Sequence, residues 1–125
     1  MRRLQRKVSR DFYINNQEIT NKIMETKISN VDGKVVVKII GRLDTTVAID
    51  FSKEVAPYYS QKNVIMQFDC SEMDYIASSG LRVFLSTFKS LTANGGSLEV
   101  LNLQPQVMTV FKMTGFSTFL NIKES

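Results

Sequence analysis

A short, nearly continuous apolar run, Val64-Ile65-Met66-Gln67-Phe68, stands between two segments whose apolar residues recur at helical spacing. A strand of this kind between helices is shared by two successive βαβ crossovers, and that points to a layered α/β fold with a largely parallel sheet. Upstream, Asp44-Thr45-Thr46 offers helix-capping chemistry, and Val47, Phe51, Val55 and Tyr58 or Tyr59 then recur at helical spacing to about Ser60. Downstream, Leu81, Phe84, Leu85, Phe88 and Leu91 fall on one face of a helix that starts at Ser78-Ser79 and ends at Asn94-Gly95-Gly96, where glycine suits the left-handed C′ position. Continuous apolarity predicts that the 64–68 strand is covered on both faces.

The remaining elements complete the pattern. Lys22 to Ser29 and Val35 to Ile40 read as strands joined at the turn signal Asn30-Val31-Asp32-Gly33, an antiparallel hairpin. Ser97 to Leu103 is the next strand. Pro105 suits the first turn of a third helix, whose Met108 and Phe111 face inward and whose end is Gly115. Thr118 to Ile122 is a last short strand. The expected architecture is α/β: one domain, a mixed and mainly parallel sheet with an N-terminal antiparallel hairpin, and helices packed on it.

Charge separates this domain from what precedes it. The formal net charge of +4 comes entirely from Arg2, Arg3, Arg6, Lys7 and Arg10 set against Asp11, and residues 12 to 125 are neutral. Residues 1–18 therefore read as a basic, flexible, solvated extension, and 19–125 as the domain. The arm offers weak contacts with nucleic acid or an anionic membrane surface, or docking onto a partner; direct DNA binding is not expected. No apolar stretch follows the arginines and none approaches a membrane span, so the expected location is the cytoplasm.

Histidine is absent, which removes Ser-His-Asp and Cys-His triads and the commonest transition-metal ligand. A hydrolase using Ser78 would need an activating base, and no lysine lies beside the motif. The lone Cys70 cannot form an internal disulfide and reads as a small packing residue near a strand end. No cofactor and no metal are expected, and the chain reads as a binding protein.

The segment Asp69-Cys70-Ser71-Glu72-Met73-Asp74-Tyr75-Ile76-Ala77 reads as a polar loop that delivers the chain from the strand to the serine pair. A serine at the first turn of a helix either caps it or offers a hydroxyl for regulated phosphorylation, since the unpaired N–H groups there favour an anion. Asp69 and Ser71 are turn formers or site residues. Asp44 caps the first helix or, with the 69–79 loop and Asn102, lines the sheet edge where strand C-termini gather. Gly80 permits close approach to the serine turn or fits under helix packing. Arg82 is a solvated charge or a contact to an acidic partner face. Met73, Met108 and Met113 read as core filler.

Strand, Asp69-x-Ser71-x-x-x-Tyr75-Ile76, the pair Ser78-Ser79, then Gly80-Leu81 opening a helix resemble the STAS domain of bacterial anti-sigma factor antagonists. Gly41-Arg42-Leu43-Asp44, Asn94-Gly95-Gly96-Ser97-Leu98, Asn102-Leu103-Gln104-Pro105-Gln106-Val107 and Phe111-Lys112-Met113-Thr114-Gly115-Phe116 extend the resemblance over roughly residues 22 to 122. It implies that Ser78 is the phosphorylation site, with Ser79 the alternative, and that Asp44, Asp69, Ser71, Ala77, Ser78, Ser79, Gly80 and Arg82 form the partner surface. Ala77 stands where sporulation and stress-response antagonists carry an aspartate, a departure that bears on kinase recognition.

The implied activity is partner switching. The unmodified protein binds an anti-sigma factor that is also a GHKL-type serine kinase, the sigma factor is freed, phosphorylation of Ser78 ends the complex, and a serine phosphatase resets it. The alternative is a non-catalytic STAS subunit of another assembly, such as a lipid-transport ABC complex, recognisable by co-purification with an ABC-type ATPase.

Overall fold

The computed structural model describes the backbone of residues 3–7 and, in full, residues 24–124. In chain order the elements are β1 (Arg3–Lys7), β2 (Met24–Val31), β3 (Lys34–Leu43), α1 (Thr45–Val55), β4 (Ile65–Ile76), α2 (Ser78–Ala93), β5 (Ser97–Leu101), α3 (Pro105–Met113) and β6 (Asn121–Lys123), with 3₁₀ turns at Ala56–Tyr58 and Phe116–Thr118. One six-stranded sheet runs β1-β2-β3-β4-β5-β6. β2 runs antiparallel to both of its neighbours, β1 and β3, while β3 to β6 are parallel.

The hairpin forms as expected. Asp32 and Gly33, both at positive φ (52° and 80°), make a two-residue turn whose twist matches that of the flanking strands. The basic extension differs from a segment free of the sheet: the backbone of Arg3–Lys7 pairs antiparallel with β2, Arg3 opposite Ser29 and Lys7 opposite Glu25. The expected 18/19 boundary, the start of the first strand at Lys22, and the charges of Arg2, Arg10 and Asp11 lie outside the described residues.

Strand coverage is a correction. The parallel strands follow sequence order in one direction, and right-handed crossovers then place every connecting helix on the same side. The buried residues of β4, Met66, Phe68 and Cys70, therefore alternate with the exposed Ile65 and the half-buried Gln67 and Asp69 on an uncovered face. That face carries a polar ladder: Lys38 pairs with Glu72 at 2.8 Å, and Glu99 accepts from Gln67 at 2.7 Å and from Lys123 at 2.9 Å.

Four phenylalanines join the covered face to the helices. Phe68 of β4 lies 5.5 Å from Phe51 of α1 and 4.8 Å from Phe84 of α2, ring centre to ring centre, and Phe84 lies 5.6 Å from Phe111 of α3. All four are fully buried. Tilted and edge-on contacts of this kind add about 0.5–1.5 kcal/mol per pair beyond burial itself. Met73 is core as expected, whereas Met113, the last residue of α3, is 80% exposed. The inward stripe of α3 is Val107 and Phe111, and Met113 falls off it.

The second correction concerns β4, which does not give way to a loop at Asp69 but continues for twelve residues to Ile76. Two register shifts against β3, one between Lys38 and Ile40 and one between Gly41 and Arg42, absorb extra residues on β4. Each bulge changes the spacing of inward residues from two to three, giving Cys70, Met73 and Ile76. The period-two signature of a strand is thereby lost from the sequence, while the ladder to β3 keeps the backbone paired.

Candidate functional site

The serine turn rests on the end of the β3–β4 ladder. Ile76 pairs with Leu43, and the next amide, Ala77 N–H, donates to the Leu43 carbonyl at 2.9 Å. Ala77 is the N-cap of α2, with extended backbone (φ −90°, ψ 169°) and no capping oxygen, so Ser78 and Ser79 are the first two residues inside the helix. Neither serine caps it, which corrects that reading of the pair.

The two hydroxyls differ in access. Ser78 is exposed, whereas Ser79 Oγ is enclosed and has no hydrogen-bond partner. Gly80 is buried directly behind them: a β-carbon there would lie 2.9 Å from Ile76 Cγ1 and 2.9 Å from Leu43 Cγ. Glycine is thus required for the close approach of α2 to the ends of β3 and β4.

Asp44 caps α1, its Oδ1 accepting from Val47 N–H at 3.2 Å. Because Leu43 is bonded to Ala77, Asp44 and Ser78 open neighbouring helices from one anchored point. Asp69, Ser71 and Asn102 form a separate cluster. Asp69 Oδ1 accepts from Ser71 N–H at 3.1 Å and from Asn102 Nδ2 at 3.4 Å, and the Ser71 carbonyl accepts from Gln104 Nε2 at 2.9 Å. At about 3.3 Å per residue, Asp69 and Ala77 stand on the order of 20 Å apart along β4. The expected gathering of Asp44, residues 69–79 and Asn102 at one edge is therefore divided in two, because β4 continues between them.

Two grooves flank the exposed Arg82. One, of about 350 Å³, lies between α1 and α2 and includes Ile49, Ser52, Tyr59, Ser79 and Ser86. The other, of about 250 Å³, is lined by Ser78, Leu81, Arg82, Leu85, Thr114 and Phe116. Sequence patterning marks neither, since Ile49, 63% exposed, falls outside the apolar stripe of α1 and Phe116 outside any α-helix. Arg42, next to Gly41 at φ 99°, places its guanidinium 4.1 Å above the Tyr75 ring, a contact across the β3–β4 ladder that no local pattern in the sequence marks.

Chemically the site offers hydroxyls, a cation with no carboxylate partner among the described residues, and apolar concavities. Burial pushes the Cys70 thiol well above its ordinary range, which keeps it protonated and inert. Among the described residues no group of three or more Cys, Asp or Glu side chains could hold a metal ion, and no helix is long and apolar enough to cross a membrane.

An anti-sigma-B factor antagonist of Listeria monocytogenes (serovar 1/2a, strain ATCC BAA-679 / EGD-e) is 27% identical over 105 residues, covering 84% of this chain and 89% of the relative. The anti-sigma-B factor antagonist of Bacillus subtilis (strain 168) is 30% identical over 98 residues, covering 74% and 89%. The solved structure of the Bacillus cell fate determinant SpoIIAA in its phosphorylated form has the same fold, with a TM-score of 0.65 at 20% identity over 80% of this chain and 90% of that one. The STAS domain family matches residues 22–125, a span that takes in the hairpin, the three helices and the serine turn, and the chain belongs to that family.

Proposed function

We propose that the protein is an anti-sigma factor antagonist. It is a regulatory binding domain, not an enzyme, and it docks the Ser78 turn and the outer side of α2 onto an anti-sigma factor, which frees the sigma factor. The partner is a GHKL-type serine kinase, and the complex ends when that kinase phosphorylates Ser78. The Ser78 Oγ–H proton leaves to a base of the kinase, the Oγ–P bond forms, and the bond from the γ-phosphorus to the departing ADP breaks. A serine phosphatase hydrolyses the ester and restores the hydroxyl.

The observation that carries this reading is the contrast at the serine pair: Ser78 is presented to solvent at the first turn of α2, and Ser79 Oγ is enclosed. A kinase has access to the first hydroxyl and not to the second. The family match and the antagonist names of the relatives support the choice of partner. Phosphate would add about −1.5 to −2 charge at pH 7 to a surface whose nearest grooves are apolar, and desolvating that charge opposes docking. Asp44, Ala77 and Arg82 surround the turn and belong to this surface, with the buried Gly80 supporting it from beneath; Asp69 and Ser71 would reach the partner only across the length of β4.

Affinity capture of the full chain from its own cells, with mass spectrometry of the partners and of the Ser78 peptide, tests the proposal. An anti-sigma factor kinase in the bound pool and phosphate on Ser78 in the unbound pool are expected. Capture of an ABC-type ATPase with unmodified Ser78 would replace this reading with a scaffold subunit.

A further inference from the structure

α2, which opens at the Ser78 turn, and α3 are charge-biased, whereas α1 carries Asp50 and Glu54 with Lys53. α2 contains Arg82 and Lys89 and α3 contains Lys112, and neither holds an acidic residue. Arg82 is exposed, and no carboxylate of the described residues pairs with it. It lies four residues after Ser78, and the two line the same groove. On a helix this spacing brings β-carbons to about 5–6 Å, and a helical arginine leans back toward the N-terminus, that is, toward Ser78. An anion preceding a cation by four residues is also the favourable order for such a pair.

We propose that Arg82 is the built-in receptor for phosphate on Ser78, an inference that rests on the reading of Ser78 as the modified residue. In the unmodified protein the guanidinium, without a carboxylate partner among the described residues, stands at the rim of the groove formed by Leu81, Leu85, Thr114 and Phe116, where it faces an incoming partner. After modification it turns onto the phosphate, since guanidinium forms paired charge-assisted bonds to phosphate oxygens. Phosphorylation then does two things at one place: it introduces a dianion, and it withdraws the cation that an acidic partner segment would meet.

The test uses the full chain with phosphoserine encoded at position 78, alone and with Arg82→Gln or Arg82→Lys, followed by ³¹P NMR from about pH 4 to 9, which brackets the second ionisation near 6. Because Arg82 favours the dianion, the phosphate is expected to titrate about half a pH unit lower in the parent than in Arg82→Gln, with Arg82→Lys between them. The amides of the first turn of α2 act equally in all three proteins, so the difference isolates Arg82. Coincident titrations in the parent and Arg82→Gln would overturn the inference. No partner enters this measurement, so its failure is distinguishable from a failure of the capture experiment.

Discussion

The amide of Ala77 donates to the carbonyl of Leu43 at 2.9 Å, and through this bond Asp44 and Ser78, each one residue further along, start α1 and α2 from a common anchor. The position of the serine hydroxyl is thus set by the sheet rather than by the loop chemistry around it. Parallel pairing of β3 and β4 runs up to Leu43 and Ile76, and Gly80 lets α2 settle on those same two side chains.

Gly80→Ala tests the close approach. The added methyl meets two core side chains inside contact distance, and overpacking of this kind costs about 1–3 kcal/mol, against a gain of at most about 1 kcal/mol from helix propensity. Urea denaturation is expected to show a net loss of roughly 1 kcal/mol. An unchanged or raised midpoint would mean that Leu43 and Ile76 yield freely.

Ala77→Asp supplies the capping oxygen that α2 lacks. Ala77 already has the extended backbone of an N-cap, and an aspartate there is expected to raise stability by about 1 kcal/mol. The same denaturation experiment reads it, and a destabilised variant would contradict the geometry given for this turn.

Asp44 serves both a cap and the proposed partner surface, and two variants separate them. Asp44→Ala is expected to lose about 1 kcal/mol of stability with the bond to Val47 N–H, whereas Asp44→Asn keeps an accepting oxygen and most of that stability. Weaker binding of the captured anti-sigma factor by Asp44→Asn, measured by calorimetry, would assign the carboxylate charge to the interface.

For the serine pair, Ser78→Asp is expected to fold normally, as judged by circular dichroism, and to lose affinity for the anti-sigma factor by roughly ten- to a hundredfold, the scale of a buried unpaired polar group. Ser78→Ala should bind and resist phosphorylation. Retained affinity in Ser78→Asp would count against the docking surface.

Glu99 links the open sheet face to pH. The amide of Gln67 and then the ammonium of Lys123 hold its carboxyl below the ordinary range. Its folded value is lower than its unfolded value, so the stabilisation is present above the unfolded carboxylate range and is lost as pH falls through the depressed value. Glu99→Gln should be less stable than the parent near neutrality, and the gap should close as the pH is taken below about 4. A gap independent of pH would assign the effect to packing alone.

The apolar spacings of α1 and α2, the Asp32-Gly33 turn, Pro105 at the start of α3 and the order of strands and helices from β2 onward were legible in the chain, because helix period, turn chemistry and capping are local properties. The amino-acid pattern therefore determined the α/β class, the antiparallel hairpin and the proximity of the serines to a helix start. Tertiary structure decided the rest. β4 continues through Asp69 to Ile76 because β3 offers partners across two bulges, and no local pattern records a partner 30 or so residues away. Single-sided coverage of the sheet came from the handedness of successive crossovers, and the difference between Ser78 and Ser79 from how α2 lies on Leu43 and Ile76. These are relations between elements distant in sequence, and only packing fixes them.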